Sequence, residues 1–465
     1  MIPIEKIASG TITNLIVYLS IIGILLFVAT LLRLKFRFLR KAFIPASLIA
    51  GIIGLILGPY VLGVFSPEVR SSFAAIPTPF TVIVFACMQL GVKRPKVKES
   101  LQLAAPSVFQ AYSYSFSQFG LTCLLTALIF TPFWGTDALF GSVIEIGFMG
   151  GHGTAGGMTD VYAGLGWAAG ADVGQTTATI GLIVGIFGGL WMVNMAAKRR
   201  YTTILEHVDT TSTDSETYTE ETKKPAAYTT INGDIIESFA FHSALIGIAI
   251  FIGRLIVWGV DTVFQFSLPL FPFAMIGGFL LNQVLQRTKL GALMDRATFQ
   301  RIQGLAMEFL IVAAVASVSI PVVLEYWQPL LVSCAALSLT TMGIFWFVSP
   351  KIYKKHWFEC GIVRYGTATG VAAIGLMLLR TVDPEMKTEG GKVYALSTPF
   401  TSAFIGGGLV STAYPFLIAD WGALKCGLLF TALSAACILV CALIGFWNRD
   451  RVKEQRGNLG PEAEG

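Results

Sequence analysis

Two glycine-rich polar runs interrupt otherwise apolar, membrane-length stretches of this chain. The tripeptide Gly-Thr-Ala occurs at residues 153–155, inside a glycine-rich run over 150–157, and again at residues 366–368. Such a run cannot form a stable lipid-facing helix, because irregular backbone at membrane depth needs protein or a water-filled cavity to satisfy its polar groups. Breaks at matching positions in two halves of a chain point to the binding site of a secondary transporter.

The composition places the chain among membrane proteins. Of its 465 residues, 54% are hydrophobic and 13% are charged, whereas a typical soluble domain has about 25% charged residues. A spanning helix needs roughly 20 mostly apolar residues. On this criterion we predict spanning helices at about residues 11–32, 44–64, 74–92, 103–131, 172–196, 237–259, 268–285, 303–324, 329–349, 396–418 and 421–447.

The two glycine runs lie in further apolar stretches, residues 138–158 and 358–379, which we predict to be re-entrant hairpins. Lys and Arg concentrate in cytoplasmic loops. With the N-terminus outside and the C-terminus cytoplasmic, only Lys6, Arg70, Arg254 and Lys425 of the 33 basic residues fall elsewhere. This bias holds only if neither glycine stretch crosses the membrane fully. The first hairpin then opens from outside and the second from inside.

The predicted fold class is an all-α polytopic membrane protein with two inverted five-helix repeats, each carrying one re-entrant glycine-rich hairpin. Hairpins that enter from opposite sides are the mark of an inverted repeat. The first repeat covers residues 1–200 and the second covers 236–420, separated by a Thr-rich and acidic cytoplasmic linker at 201–235. An extra transmembrane helix at 421–447 and a cytoplasmic tail at 448–465 follow.

The glycine runs resemble those of the bacterial sodium/glutamate symporter family. The likeness rests on Gly150-Gly151-His152-Gly153-Thr154, on the later run at 181–189 and on the motif at 366–370. The resemblance implies sodium-coupled import of glutamate or a similar acidic amino acid by alternating access. It also implies a homodimer in the bacterial inner membrane. Arg364 and Arg380 flank the second motif and look closer to hydroxycarboxylate carriers, so a sodium- or proton-coupled di- or tricarboxylate carrier stays an alternative.

The chemistry of the hairpin tips identifies candidate site residues. Glycines allow close approach of backbone to a ligand, helix N-termini favour anions, and free carbonyls and hydroxyls suit sodium. The candidate substrate-binding residues are Gly151, His152, Gly153, Thr154, Arg364, Gly366, Thr367, Ala368, Thr369, Gly370 and Arg380. The candidate ion-coupling residues are Gly150, Thr154, Glu145, Thr367 and Thr369, with sodium held by hairpin carbonyls and hydroxyls.

Several of these residues have a second interpretation. The glycines also suit close helix packing. The fork of Arg364 matches a carboxylate, but the residue also suits a positive anchor on the cytoplasmic side. Arg380 pairs with Asp383 in the alternative interpretation. His152 either donates to a carboxylate or orients its loop, and Glu145 balances a cation or pairs across its hairpin.

Other function classes have less support. A proton-coupled carrier would use Glu145 and His152. No nucleophile–base set, metal-ligand cluster or phosphate loop points to an enzyme, and no charged ring or pore repeat points to an ion channel. We therefore predict a transporter that meets a small anionic substrate and the lipid bilayer, with no nucleic acid as a partner.

Overall fold

The described part of the chain is helical throughout. The computed structural model describes residues 9–36, 38–39, 44–92, 97–204, 227–264, 269–383 and 387–448, and no strand occurs within these ranges. Part of the predicted linker (205–226), the tail from residue 449 and several basic loop residues, among them Arg37, Arg40, Lys93 and Arg94, lie outside them.

The helices differ widely in length. In chain order they are α1 (Ser9–Lys35), α2 (Ala46–Leu57), α3 (Pro67–Ala75), α4 (Pro77–Gln89), α5 (Val97–Leu125), α6 (Thr131–Trp134), α7 (Val143–Phe148), α8 (Gly151–Gly157), α9 (Thr159–Gly164), α10 (Gly170–Lys198), α11 (Ser238–Phe264), α12 (Leu270–Leu285), α13 (Arg296–Ala316), α14 (Ile320–Glu325), α15 (Trp327–Ile352), α16 (Trp357–Val382), α17 (Glu389–Thr401), α18 (Leu409–Trp421) and α19 (Ala423–Cys441). Short 3₁₀ segments cover Ala138–Ser142 and Lys289–Leu293, and π-helical turns cover Thr126–Phe130 and Ala442–Phe446.

Within the described ranges, nine helical segments are long and apolar enough to cross a membrane. They are Gly10–Lys35, Pro67–Gln89, Gln102–Trp134, Gly170–Lys198, Ser238–Thr262, Arg296–Ala316, Trp327–Ile352, Trp357–Val382 and Ala423–Phe446. Each reaches the roughly 20 residues that a bilayer crossing needs. The expectation of an all-α polytopic membrane protein is therefore confirmed.

Three predicted spans differ from the helices observed. The predicted helix over 303–324 is wrong, because α13 ends at Ala316 and α14 begins only at Ile320. The prediction of one helix over 396–418 is wrong, because α17 and α18 are separated by a non-helical segment over 402–408. Gly406 and Gly407 within that segment have φ of 66° and 96°, a left-handed conformation that glycine adopts at little cost. The predicted span 44–64 is shorter, since α2 ends at Leu57 just before Gly58-Pro59, and a residue before proline disfavours the helical region.

The described helices pack into two units, and each unit draws on both halves of the sequence. The first comprises Met1–Arg94, His152–Gly164 and Ser212–Ile320. The second comprises Pro95–Gly151, Leu165–Thr211 and Pro321–Gly465. The chain passes from one unit to the other between Gly151 and His152, inside the first glycine motif.

In the first unit, α2 packs on α13 and α4 packs on α12. A Cβ added to Gly54 of α2 would lie 2.7 Å from the Cβ of Ala316, and one added to Gly278 of α12 would lie 2.6 Å from the carbonyl oxygen of Ala86. Small residues let helix backbones approach closely in a membrane, where burial of apolar surface does not drive association. The second helix of each half thus packs on the third helix of the other half.

In the second unit, α19 packs along the length of α5. A Cβ on Gly120 of α5 would lie 2.5 Å from the backbone nitrogen of Thr431. Further along the same contact, the hydroxyls of Ser113 and Ser434 lie 3.0 Å apart, and Phe119 and Phe430 pack edge to face. The predicted extra helix at 421–447 is therefore an integral part of the second unit.

We predict that Gly120→Ala lowers the apparent Tm of the detergent-solubilised protein by at least about 3 °C, because an added methyl group overpacks the α5–α19 contact. Gly247→Ala in α11 is the matched control, since a Cβ there meets nothing within 4 Å. Alanine at an uncrowded helical position is neutral or stabilising. Thermal unfolding followed by fluorescence measures both variants, and equal Tm values would contradict the packing described.

Candidate functional site

The second glycine motif marks a point at which the chain reverses direction. Within α16 the backbone leaves the helical region at Gly370 (φ −137°, ψ 37°) and Val371 (φ 58°, ψ 179°). Gly366 before the break and Gly375 after it lie side by side, since a Cβ on Gly366 would be 2.7 Å from the Cα of Gly375. A straight helix would separate these two residues by about 13 Å. Although its composition suits one span, α16 consists of two antiparallel legs. The first leg runs up to the break at Gly370 and Val371, and the second leg follows the break.

The residues beside this reversal, Gly375 and Val371, are both constrained by it. Gly375 has no room for a side chain, because an added Cβ would collide with the hydroxyl of Thr367 and the carbonyl of Val363. Val371 is a β-branched residue in the left-handed region, where such residues are genuine outliers. Strained backbone of this kind persists only where the surroundings hold it, and it concentrates at functional sites.

Glycines of α10 form the surface against which the first leg packs. A Cβ on Gly185 would lie 2.8 Å from the hydroxyl of Thr369, and one on Gly188 would lie 2.6 Å from the hydroxyl of Tyr365. The glycine run at 181–189 that contributed to the family resemblance thus has a physical role. It lets α10 contact the polar end of the first leg without intervening side chains.

The two glycine motifs meet at their breaks. Gly151 has φ of 70°, and a Cβ on it would lie 2.5 Å from a methyl carbon of Val371. The neighbouring Gly150 donates its N–H to the carbonyl of Glu145, at 3.1 Å, and so ends the helical turn before the break. The structure therefore brings together Gly150, Gly151 and Gly370 from two distant parts of the sequence.

The remainder of the first motif lies in the other unit. His152 and Thr154 are buried there, and the carbonyl of Gly153 accepts a 2.8 Å hydrogen bond from the hydroxyl of Thr81 on α4. The predicted hairpin at 138–158 is thus divided between the two units at Gly151. His152, Gly153 and Thr154 remain predicted site residues.

The last turn of the first leg carries polar groups that lie close to the buried side-chain amide of Gln118. The hydroxyls of Thr367 and Thr369 donate to carbonyls one turn back in the helix, at 2.7 Å and 3.0 Å. The carbonyl of Ala368 accepts a 2.8 Å hydrogen bond from Nε2 of Gln118 on α5. The Oε1 atom of Gln118 is buried and has no hydrogen-bond partner in the described part of the chain. Sequence reasoning missed Gln118, although an amide inside an apolar segment is a signal that can be recognised.

Arg364 lies on the first leg with its side chain buried, only 2% exposed. Its Nε donates to the hydroxyl of Ser107 on α5 at 2.5 Å, and its Nη2 donates to the hydroxyl of Ser397 on α17. The ring of Tyr394 lies 4.9 Å from the guanidinium carbon. We call these three partners the Arg364 cradle. It contains no carboxylate, so the charge of this arginine is hydrogen-bonded but not neutralised by a described acidic residue.

Arg380 has a different environment. It lies in the last turn of α16 and is exposed. Asp383, its predicted partner in the alternative interpretation, instead accepts hydrogen bonds from the backbone and hydroxyl of Thr388 and from the backbone of Lys387, at 2.6–2.8 Å. Burial is the largest single effect and acts to raise the pKa of Asp383, but these hydrogen bonds together outweigh it and lower that pKa.

Glu145 on α7 is fully buried and is bound to a third break in the helices. Its Oε1 accepts hydrogen bonds from the hydroxyls of Ser115 (2.7 Å) and Ser411 (2.7 Å) and from the backbone N–H of Gly406 (3.1 Å). Its Oε2 is buried without a partner among the described residues. The break at 402–408 was not predicted as part of the site. Its run of three glycines, Gly406–Gly408, was the available signal.

The arrangement offers backbone and hydroxyl oxygens rather than a cluster of ionisable ligands. Among the described residues, no group of three or more His, Cys, Asp or Glu side chains is placed to hold a metal ion. Carbonyl and hydroxyl oxygens are the ligands that sodium takes at unwound helices in transporters. The polar atoms that converge on this region are therefore mainly carbonyl and hydroxyl oxygens.

Comparison with known protein families assigns the chain. Residues 11–374 match the model of the sodium/glutamate symporter family. The chain belongs to this family. It is a family of transporters, so the expectation that the chain is not an enzyme is confirmed. No curated protein matches the chain. The match ends in the second leg of α16, so α17–α19 lie beyond it.

We predict that Gly375→Ala disrupts the hairpin formed by α16, because the added methyl group would occupy the positions of the Thr367 hydroxyl and the Val363 carbonyl. Gly343→Ala in α15 is the matched control, since nothing lies within 4 Å of a Cβ there. The expected cost of overpacking is about 1–3 kcal/mol, measured as a fall in apparent Tm. Unchanged Tm in the Gly375 variant would argue that the legs do not pack as described.

Proposed function

We propose that the protein is a sodium-coupled symporter that imports glutamate or a similar acidic amino acid by alternating access. The observation that carries this proposal is the contact between Gly151 and Val371. Two glycine-rich breaks from the two halves of a sodium/glutamate symporter family member meet inside one unit. Such paired breaks form the substrate and ion sites of secondary transporters.

The dimensions of α16 support the proposed re-entrant topology of the second glycine stretch. Each leg of α16 is about 20 Å long or shorter at 1.5 Å per residue, well below the roughly 30 Å of a bilayer's hydrocarbon core. A reversing pair of short helices therefore supports a re-entrant segment at 358–379. We extend this topology to the first glycine stretch at 138–158 because it contains the matching motif.

The inverted repeats at 1–200 and 236–420 have support from the first unit. There α2 packs on α13 and α4 packs on α12, so the second helix of each half contacts the third helix of the other. A two-fold relation between the halves generates this exchange of partners. We further propose a homodimer in the bacterial inner membrane, with the N-terminus outside and the C-terminus cytoplasmic, as the family resemblance and the charge pattern predict.

Recognition of the substrate is assigned to Arg364 and the tips. A buried cation whose partners among the described residues are hydroxyls and an aromatic ring has unused capacity for an anion. The planar guanidinium binds a carboxylate through two parallel hydrogen bonds. Backbone groups freed at Gly151 and Gly370 supply further polar contacts for the substrate. The exposed position of Arg380 favours a role outside the primary site.

We propose that sodium binds at the polar end of the first leg. The buried Oε1 of Gln118 has no donor among the described residues, and the carbonyl of Ala368 accepts a hydrogen bond from the same side chain. Together with the hydroxyls of Thr367 and Thr369, these oxygens provide the hard ligands that sodium requires. Binding of the cation close to the tip favours arrival of the anion, which couples the two movements.

Glu145 favours a second candidate function, a proton-coupled carrier for the same class of anion. Its carboxyl group is fully buried, and no basic side chain accompanies it among its described contacts. An unpaired carboxylate at membrane depth is costly, so such a group is neutral or holds a cation. A carboxyl group that exchanges a proton during the cycle satisfies this constraint.

The two candidates predict different driving ions for uptake by the purified protein in proteoliposomes. We expect radiolabelled glutamate uptake to rise at least about tenfold with an inward sodium gradient relative to choline, and to saturate. Undiminished uptake in sodium-free buffer would sink sodium coupling. If a proton gradient drives uptake instead, and Glu145→Gln abolishes that component, the second candidate is supported. Competition by aspartate, malate and citrate identifies the class of substrate, with protein-free liposomes as background.

We predict that Arg364→Ala raises the apparent KM for glutamate at least about tenfold, the loss expected for a charge-assisted hydrogen bond worth about 1.5–3 kcal/mol. The half-saturating sodium concentration should change by less than about threefold. Arg364→Lys should also raise KM, because lysine keeps the charge but loses the planar fork. The exposed Arg254→Ala on α11 is the control. Equal changes in both constants would indicate that Arg364 is structural.

A further inference from the structure

A cavity of about 360 Å³ opens in the second unit beside the first turns of α16 and α17. It is lined by Gln102, Leu103, Pro106, Ile352, Tyr353, Lys354, Lys355, Cys360, Glu389, Lys392, Val393 and Phe446. Its size falls in the range of about 300–1,000 Å³ that is usual for small-molecule sites. None of the predicted substrate-binding residues belongs to the lining.

The cavity has a charged rim and a buried floor. Lys354, Lys355 and Lys392 are exposed at the rim, where Glu389 is the one acidic residue of the described lining. The floor consists of buried side chains, with Tyr353 at 3% and Cys360 at 1% exposure. A concave site with an excess of one charge focuses the electrostatic field and concentrates ions of the opposite sign. The rim therefore attracts anions.

The floor lies against the Arg364 cradle along three helices. On α5, the floor residue Pro106 directly precedes Ser107. On α16, Cys360 lies one helical turn before Arg364. On α17, the carbonyl of Val393 accepts a 2.6 Å hydrogen bond from the hydroxyl of Ser397. Three of the helices that supply the cavity lining thus supply, one residue or one turn further on, Arg364 itself or one of its hydroxyl partners.

We propose that this cavity is an anion vestibule that takes a small soluble carboxylate between the lysine rim and Arg364. The lysines lie at the end of the second unit that the charge pattern predicts to be cytoplasmic, so the vestibule serves release after import. Lys355 and Lys392 raise the local concentration of the anion, and Arg364 behind the floor receives or delivers it. The identity of the anion as glutamate rests on the proposed function, whereas the charge selectivity of the vestibule does not.

Cys360 provides a reporter on the floor that requires no transport. Purified protein in nanodiscs of zwitterionic lipid, which excludes anionic headgroups as the occupant, is treated with methanethiosulfonate reagents of similar size. One reagent carries a sulfonate and the other an ammonium group. Mass spectrometry of the Cys360 peptide gives the two labelling rates, with Cys360→Ser as the blank. Each labelling rate is divided by the rate of the same reagent with a small free thiol in solution. The ratio of these normalised rates, which is the one compared below, cancels the intrinsic reactivity of both thiol and reagent and reports the charge selectivity of the approach.

We expect the anionic reagent to label Cys360 at least about threefold faster than the cationic one. Lys355→Gln combined with Lys392→Gln should lower that ratio about threefold or more. Lys198→Gln combined with Lys289→Gln removes the same charge from exposed positions outside the cavity and should leave the ratio unchanged. Millimolar glutamate should slow labelling in the unmodified protein.

The vestibule is overturned if Cys360 is not labelled, if the cationic reagent is faster, or if both double variants change the ratio equally. Sodium-driven uptake is measured separately on the same preparations. If uptake fails but the anion selectivity of labelling is retained, the proposed cargo is contradicted and the vestibule is still supported. Sodium-driven uptake without anion selectivity would support the proposed cargo and overturn the vestibule.

Discussion

Backbone groups that leave a helix inside a membrane must find partners within the protein, and this requirement governs the second unit. The chain breaks at Gly151, at Gly370–Val371 and over 402–408. These breaks do not lie apart: Gly151 contacts Val371, and a Cβ on Gly406 would lie 3.2 Å from the side chain of Met149. Breaks that cover one another avoid exposure of unpaired N–H and C=O groups to lipid. Their clustering creates a polar region inside an apolar bundle.

Two buried ionisable side chains in this unit are stabilised in the same manner. Glu145 accepts hydrogen bonds from serine hydroxyls and Arg364 donates hydrogen bonds to serine hydroxyls, and among the described residues neither pairs with an opposite charge. Hydroxyls satisfy hydrogen-bonding groups but do not cancel a net charge, so burial of the ion stays costly. That residual cost is lowered when a mobile ion of opposite charge arrives. Under the proposed function, this difference from a structural ion pair would leave both side chains able to bind a transported ion.

The sequence predicted the membrane class and most of the long helices, because both depend on local composition. The hairpin tip at Gly370 was placed within its motif for the same reason. The partners of Arg364 were not predictable, since Ser107 and Ser397 are ordinary serines brought together only by packing. The break at 402–408 was missed because its flanking residues are apolar enough to resemble one continuous span. Gln118 was overlooked because scattered polar residues in apolar helices usually serve packing.

The end of the family match at residue 374 has a practical meaning for comparing relatives. The matched region contains Glu145 and Arg364, but Ser397, Gly406 and Ser411, which hold these two side chains, come after it. A comparison of relatives that uses the matched region alone therefore includes both charged residues but leaves out these three hydrogen-bond partners. A chimaera between family members that keeps these partners, together with the helix that packs on α5, has to include the chain up to the end of α19. A graft that stops at the family boundary would carry the charged groups into a host that lacks their hydrogen-bond donors and acceptors.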